Sequence, residues 1–307
     1  MMRVRCTPAM LWTALGISLL AGAVSKTLEF TNPGAPLTRF GSGFYGPLYI
    51  VANAIAFYYC RKICSDHRDP STMHLAWLLM AASCATAIVR HTFEWTIYQK
   101  GWTDNPKMTS LVSLRQIPTV LAMAFMTAGL VAMWSSFAAV GLGMRFRWRN
   151  AVLPLIIVAL TAADLSHRQN MWDAQSEYQL MGYLQMLSPV TLALPALLGL
   201  VLQRISQEMR GGQFADFLRY LVWSLLLRLA SLLTTFSPDL RDVRVIAIAG
   251  TAAFWAAPWL FALAVMLRWR ITESLSVMAE LYERDPEEEF AKLVAPPAHA
   301  KKPILGR

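Results

Sequence analysis

Three ionisable side chains lie close together in the apolar stretch ATAIVRHTFEWTIY, which covers residues 85–98. On a helix, Arg90 and Glu94 are one turn apart, as are His91 and Glu94, so both pairs can interact locally. A guanidinium and an imidazole beside a carboxylate can bind an anion, exchange a proton or neutralise one another. Which of these applies depends on where the rest of the chain places the three side chains.

The composition of the chain indicates a membrane protein. Of its 307 residues, 56% are hydrophobic and 15% are charged, whereas soluble domains carry roughly 25% charged residues. Hydrophobic stretches that are suitable for crossing a bilayer as helices recur along the sequence. They cover residues 8–25, 46–63, 73–98, 115–142, 150–166, 183–203, 217–235 and 245–267. The sequence therefore predicts an all-α, polytopic transmembrane bundle with eight spans.

Basic residues predict the orientation of these spans, because Lys and Arg are retained in short loops on the cytoplasmic side. Most of them precede the first span, follow the last one, or lie in the connections after the second, fourth and sixth spans. We therefore expect a multi-pass protein of the cell membrane with both termini in the cytoplasm. The net charge of +9 is mostly a topology signal, and without a basic face on a soluble domain we predict no nucleic-acid partner.

The first hydrophobic stretch allows a second interpretation. Basic residues precede it, and Ala21, Gly22 and Ala23 fit the small-residue site at which signal peptides are cleaved. Cleavage would leave seven helices with the N-terminus outside, which is a receptor-like topology. The orientation of every later span is the same in both interpretations.

The charged residues are predicted to gather in the outer half of the bundle. Arg90, His91 and Glu94 share one face of the third span, and intramembrane charges face the bundle interior or a wet cavity. Arg90 would lie about 12 Å below the outer end of its span, and Arg228 in the seventh span is at a similar depth. The fourth and fifth spans each carry a charged residue near their outer ends. The predicted ligand-binding residues are Arg90, His91, Glu94, Arg115, Asp164 and Arg228.

This cluster has two interpretations. In the first, Arg90 and Arg228 neutralise Glu94. Arg115 does the same for Asp164, so the charges only fix the positions of the helices. In the second, three arginines against two carboxylates leave one positive charge in excess, and an outward-facing pocket binds a small anion.

No motif in the sequence predicts a catalytic centre, a metal site or a cofactor. Cys60, Cys64 and His67 have the spacing of metal ligands on one helix face, but no clear fourth ligand follows. Residues 41–46 match a dinucleotide fingerprint, but no strand precedes them. The four cysteines indicate no disulfide framework. We therefore predict no catalytic residues, no bound metal and no cofactor.

The last span is predicted to continue as an amphipathic cytoplasmic helix. Ile271, Leu275 and Met278 recur at helical spacing, and the pattern stops at an Asp-Pro pair. The residues that follow have the composition of a disordered tail. We divide the chain into a transmembrane bundle at 1–270 and a cytoplasmic helix with its tail at 271–307.

An outer polar cluster and an inner amphipathic helix, with no catalytic domain between them, predict a membrane sensor or receptor-like protein. A small anionic ligand would bind outside and shift helices that lead to residues 271–284, where a cytoplasmic protein or a second copy would bind. The alternatives are a secondary transporter of a small polar solute, which needs a path past Asn53, and a purely structural polar network. A lipid-modifying enzyme with His91 as general base ranks lower, because no nucleophile or metal triad accompanies that histidine.

Overall fold

Eight α-helices and no strand make up the described part of the chain, so the all-α class is confirmed. The computed structural model describes residues 7–31, 36–66, 71–100, 114, 116–139, 152–172, 179–208, 213–236 and 243–283. The helices are α1 (Pro8–Thr31), α2 (Pro36–Asp66), α3 (Thr72–Gln99), α4 (Gln116–Ala139), α5 (Val152–Trp172), α6 (Gln179–Glu208), α7 (Gln213–Phe236) and α8 (Arg244–Glu283).

Four helical segments in the described ranges are long and apolar enough to cross a membrane, fewer than the eight spans predicted. They are Pro8–Thr31, Thr72–Ile97, Ile117–Ala139 and Arg244–Ser274. Shorter apolar segments occur at Val152–Ala162 and Val190–Ile205. In α2, Asn53, Arg61 and Lys62 interrupt the apolar run and lower its mean hydropathy. The four apolar helices fit a membrane protein.

Large apolar side chains are exposed on the surface of the helices. Along α5, Val152, Leu155 and Val158 are each more than half exposed, at 53%, 57% and 52%. Leu20 in α1 and Val245 in α8 are 67% and 76% exposed. Soluble monomers rarely expose contiguous apolar patches of this kind. Helices that face lipid do, so the surface is compatible with a membrane location.

The middle of α8 lies in the buried core. Every residue from Trp255 to Met266 is buried, as expected for a helix that is apolar around its whole circumference. On one side, Gly22 of α1 packs so closely that a Cβ there would lie 3.1 Å from Cα of Ala252. On another, the hydroxyl of Ser224 in α7 donates a 2.7 Å hydrogen bond to the carbonyl of Ala257. α8 is therefore a helix against which others pack.

The remaining helices form a connected series of neighbours. α3 packs against α2 and α4, and α6 packs against α4, α5 and α7. Small and hydroxyl residues permit and fix the close approach of α3 and α4. A Cβ on Gly129 would lie 3.0 Å from the carbonyl oxygen of Ala76, and Ser83 donates a 2.7 Å hydrogen bond to the carbonyl of Ala122.

The chain divides into two compact units, Met1–Trp269 and Arg270–Arg307. In the second unit the helical residues extend to Glu283. The tail from residue 284 onward lies outside the described residues, as do the side chains of Leu275 and Met278.

Candidate functional site

The three charged residues of α3 form a compact group because they lie within one helical turn. Oε2 of Glu94 is 3.4 Å from Nδ1 of His91 and 3.9 Å from Nη2 of Arg90. The side chain of His91 is only 1% exposed, and those of Arg90 and Glu94 are 23% and 14% exposed. This face of α3 is thus largely withdrawn from the surface.

Two tyrosines of α2 enclose the imidazole of His91. The ring centre of Tyr49 is 3.9 Å from that of His91, and the ring of Tyr45 is 5.7 Å away and nearly perpendicular, at 84°. The tyrosines are four residues apart, so they share one face of α2. Gly46 allows α2 to approach α3, since a Cβ there would lie 2.9 Å from Cβ of Trp95.

Aromatic residues of α8 contact the same tyrosines. The ring of Tyr45 stacks on that of Phe254, with the centres 5.2 Å apart and the planes at 23°. It also lies 5.4 Å from the ring of Trp255, and Tyr49 lies 5.4 Å from Phe254. Within the described part of the chain, the buried hydroxyl of Tyr45 forms no hydrogen bond. α2, α3 and α8 therefore meet in an aromatic group that contains an unused hydroxyl.

Arg228 reaches this group from α7. Its side chain is buried, with 6% exposure, and its guanidinium carbon lies 6.0 Å from the ring centre of Phe261 in α8. Its positive charge interacts electrostatically with Tyr45 and His91. Among the described residues, neither Nε nor Nη2 of Arg228 has a hydrogen-bond partner. A buried guanidinium with two unused donors is costly unless an acceptor is bound there.

The structure brings together four of the six predicted site residues, which are Arg90, His91, Glu94 and Arg228. Arg115 and the side chain of Asp164 lie outside the described residues, so their part in the site stays a prediction. Among the described residues, the cluster contains two arginines and one carboxylate. One positive charge is therefore in excess when His91 is neutral.

The aromatic members of the cluster were not predicted from the sequence. They are Tyr45, Tyr49, Phe254, Trp255 and Phe261. Two of them had a readable signal, because Tyr45 and Tyr49 are spaced by four residues at the outer end of the second span and therefore share one helix face. The aromatic residues of α8 had none, because that helix is apolar on every side.

The candidate metal ligands do not form a site in the described part of the chain. Cys60 and Cys64 are buried free thiols, and His67 lies outside the described residues. No group of three His, Cys, Asp or Glu side chains there could hold a metal ion. Comparisons of the chain with protein-family models, with curated proteins and with solved structures find no match.

Proposed function

We propose that this protein is a multi-pass sensor or receptor-like protein of the inner (cell) membrane, which binds a small anion in an outward-facing polar pocket. One observation carries the proposal: among the described residues where α2, α3, α7 and α8 meet, two arginines accompany one carboxylate, and the guanidinium of Arg228 is buried. Withdrawing an ion from water costs several kcal/mol even after relaxation. A bound anion offsets that cost, so an anion gains free energy by binding at this place.

In this proposal all eight helices cross the membrane. In the other four helices the described residues do not include a full apolar span. These helices are α2, α5, α6 and α7, and they contain 31, 21, 30 and 24 residues. About 20 helical residues are enough to cross the hydrocarbon core. Polar side chains such as Asn53 and Arg228 are buried among other helices, so they do not prevent α2 and α7 from spanning.

α8 is the output element of the proposed sensor. Its Phe254 and Trp255 contact Tyr45, its Phe261 contacts Arg228, and the helix extends to Glu283. A ligand shifts the balance between two arrangements of the helices only if it contacts them differently. A ligand that changes how Tyr45 or Arg228 packs on α8 meets this condition. The C-terminus lies in the cytoplasm, where residues 271–284 bind a cytoplasmic protein or a second copy of the chain.

Secondary transport of a small polar solute is the second candidate. Asn53 supports it, because this polar side chain is 2% exposed and lies one turn beyond Tyr49 on α2. Its Nδ2 atom, however, donates a 2.8 Å hydrogen bond to the carbonyl of Tyr49 in its own helix. Such a bond satisfies the amide nitrogen locally and leaves it little part in a path for solute.

Flux and conformational response, measured on the same protein, distinguish these functions. The full chain is reconstituted in liposomes loaded with labelled acetate, benzoate, chloride or phosphate, and in nanodiscs for hydrogen exchange. A sensor changes the exchange of residues 271–283 when an anion is added and shows no flux above protein-free liposomes. Flux that is lost in Arg228→Met would assign transport instead. If neither flux nor a change in hydrogen exchange is detected, the remaining interpretation is that the polar network is purely structural.

A further inference from the structure

We propose that Arg228 binds the carboxylate of an organic monocarboxylic acid through its Nε and Nη2 atoms, and that the hydroxyl of Tyr45 donates a further hydrogen bond to the same ligand. This assignment rests on the proposed anion site and names its ligand class. It concerns the α7 and α2 sides of the cluster, where buried donors lack acceptors among the described residues.

The identity of the two unused atoms points to a carboxylate. In a guanidinium, the N–H of Nε and one N–H of Nη2 point in the same direction along one edge. This edge matches the two oxygens of a carboxylate and forms two parallel hydrogen bonds. The ring of Phe261, 6.0 Å from the guanidinium carbon, packs against the same group. The guanidinium thus packs against an apolar neighbour, while its two-donor edge has no acceptor among the described residues.

The surroundings favour an organic acid over an inorganic anion. The side chains on the α2 and α8 sides are mostly aromatic rings, namely Tyr45, Tyr49, Phe254, Trp255 and Phe261. Phosphate is strongly hydrated, and its four oxygens need hydrogen-bond donors. In such a poorly polar environment, much of the hydration that phosphate loses would not be replaced by hydrogen bonds to the protein. An acid with an apolar body instead gains free energy when that body leaves water against the rings.

The charge of the cluster favours a monoanion. Within the described ranges, Arg90 and Glu94 of α3 balance one another in number, and Arg228 adds a single positive charge. One carboxylate neutralises that excess, whereas a dianion would leave a net negative charge in a buried place. Phe254 and Phe261 are seven residues, or two turns, apart on α8, about 10 Å along its axis. Tyr45 packs on the first and Arg228 on the second, and the charge of Arg228 interacts electrostatically with Tyr45. The proposed carboxylate lies between these two side chains, where it accepts hydrogen bonds from both.

The test measures ligand-dependent thermal stability of the full chain in nanodiscs, followed by its tryptophan fluorescence. The probes are butyrate, octanoate and benzoate, with chloride and phosphate added at equal ionic strength. At least one carboxylate should raise Tm while the inorganic anions do not. Arg228→Lys keeps the charge but lacks the two-donor edge, so it should weaken carboxylate binding about tenfold or more. Arg219→Lys is the matched control on the same helix, because Arg219 is 58% exposed and pairs with Asp216.

Tyr45→Phe keeps the ring that stacks on α8 and removes only the hydroxyl. This variant therefore tests the proposed ligand site even if the Arg228 variant does not fold. It should lower carboxylate affinity without lowering the Tm of the free protein. The proposal is overturned if no carboxylate raises Tm, if chloride or phosphate acts equally well, or if Tyr45→Phe binds carboxylate as the native chain does. If a carboxylate binds but residues 271–283 keep their exchange rates, the sensor function fails while this ligand assignment stands.

Discussion

The hydroxyl of Ser224 in α7 donates a 2.7 Å hydrogen bond to the main-chain carbonyl of Ala257 in α8. Ser224 lies one turn before Arg228, and Ala257 one turn before Phe261. The bond therefore contributes to the register in which the guanidinium of α7 faces the aromatic ring of α8. Ser224 is 0% exposed, so water does not replace the bond when it is lost.

We expect Ser224→Ala to lower the free energy of unfolding by about 1 kcal/mol, the usual contribution of such a bond. Denaturant unfolding of the reconstituted protein measures the change. Ser135→Ala is the control, because that exposed hydroxyl bonds only to the carbonyl of Ala132 in its own helix. Equal losses in the two variants would show that the bond between α7 and α8 has no special role in stability.

Two glycines of α1 form a matched pair for testing how this helix packs. A Cβ at Gly22 would lie 3.1 Å from atoms of Ala252 and Trp255, whereas one at Gly16 would meet nothing within 4 Å. We expect Gly22→Ala to destabilise the protein by about 1–3 kcal/mol through overpacking. Gly16→Ala should be neutral, or stabilise by up to about 1 kcal/mol through helix propensity. Equal Tm values for the two variants would mean that α1 does not pack on α8 in the membrane.

A pair of double-mutant cycles identifies the partner of Glu94. Its Oε2 lies 3.9 Å from Nη2 of Arg90, while Arg228 forms no ion pair with it among the described residues. We expect Glu94→Gln and Arg90→Gln to couple by about 0.5–3 kcal/mol. Glu94→Gln and Arg228→Met should be additive to within about 0.5 kcal/mol. Stronger coupling to Arg228 in unfolding measurements would favour mutual neutralisation and remove the excess charge that supports the anion site.

The proposed topology places residues 35 and 240 outside, and residue 148 and the C-terminus inside. These positions lie outside the described residues, and the expectation comes from the distribution of basic residues between the connections. Reporter fusions or the accessibility of single introduced cysteines to membrane-impermeant reagents test each position. If residue 148 is labelled from outside, the cluster around Arg90 no longer lies in the outer half of the bundle.

The output of the proposed sensor can be tested without disturbing the ligand site. Changing Ile271, Leu275 and Met278 together to serine removes the apolar stripe that a partner helix or a second copy would need. We expect this triple variant to insert and to bind anions normally, since insertion depends on the preceding hydrophobic spans. Partner capture or self-association should be lost. If crosslinking in membranes detects the same partner capture or self-association as in the native chain, transport becomes the favoured function instead of sensing.

Local features of this protein followed from the sequence because they depend on spacing along one helix. The common face of Arg90, His91 and Glu94 is a consequence of the helical period, and the distances between their side chains agree with it. The all-α class follows from long apolar runs in the same way. Four of the eight predicted spans coincide with long apolar helices in the described ranges, and in α2 tyrosines and charges lower the mean hydropathy of the apolar run.

The neighbours of each helix were decided only by the tertiary structure. Hydropathy says that a segment is apolar, but it does not say which side chains of other helices will cover it. Three features depend on side-chain shape across helix interfaces. They are the burial of Trp255–Met266 on all sides, the close packing of Gly22 on Ala252 and the approach of Arg228 to Phe261. Shape complementarity between distant segments leaves no period in the sequence. For that reason the charges of the site could be found in the sequence, whereas the aromatic residues that α8 contributes and the unused donors could not.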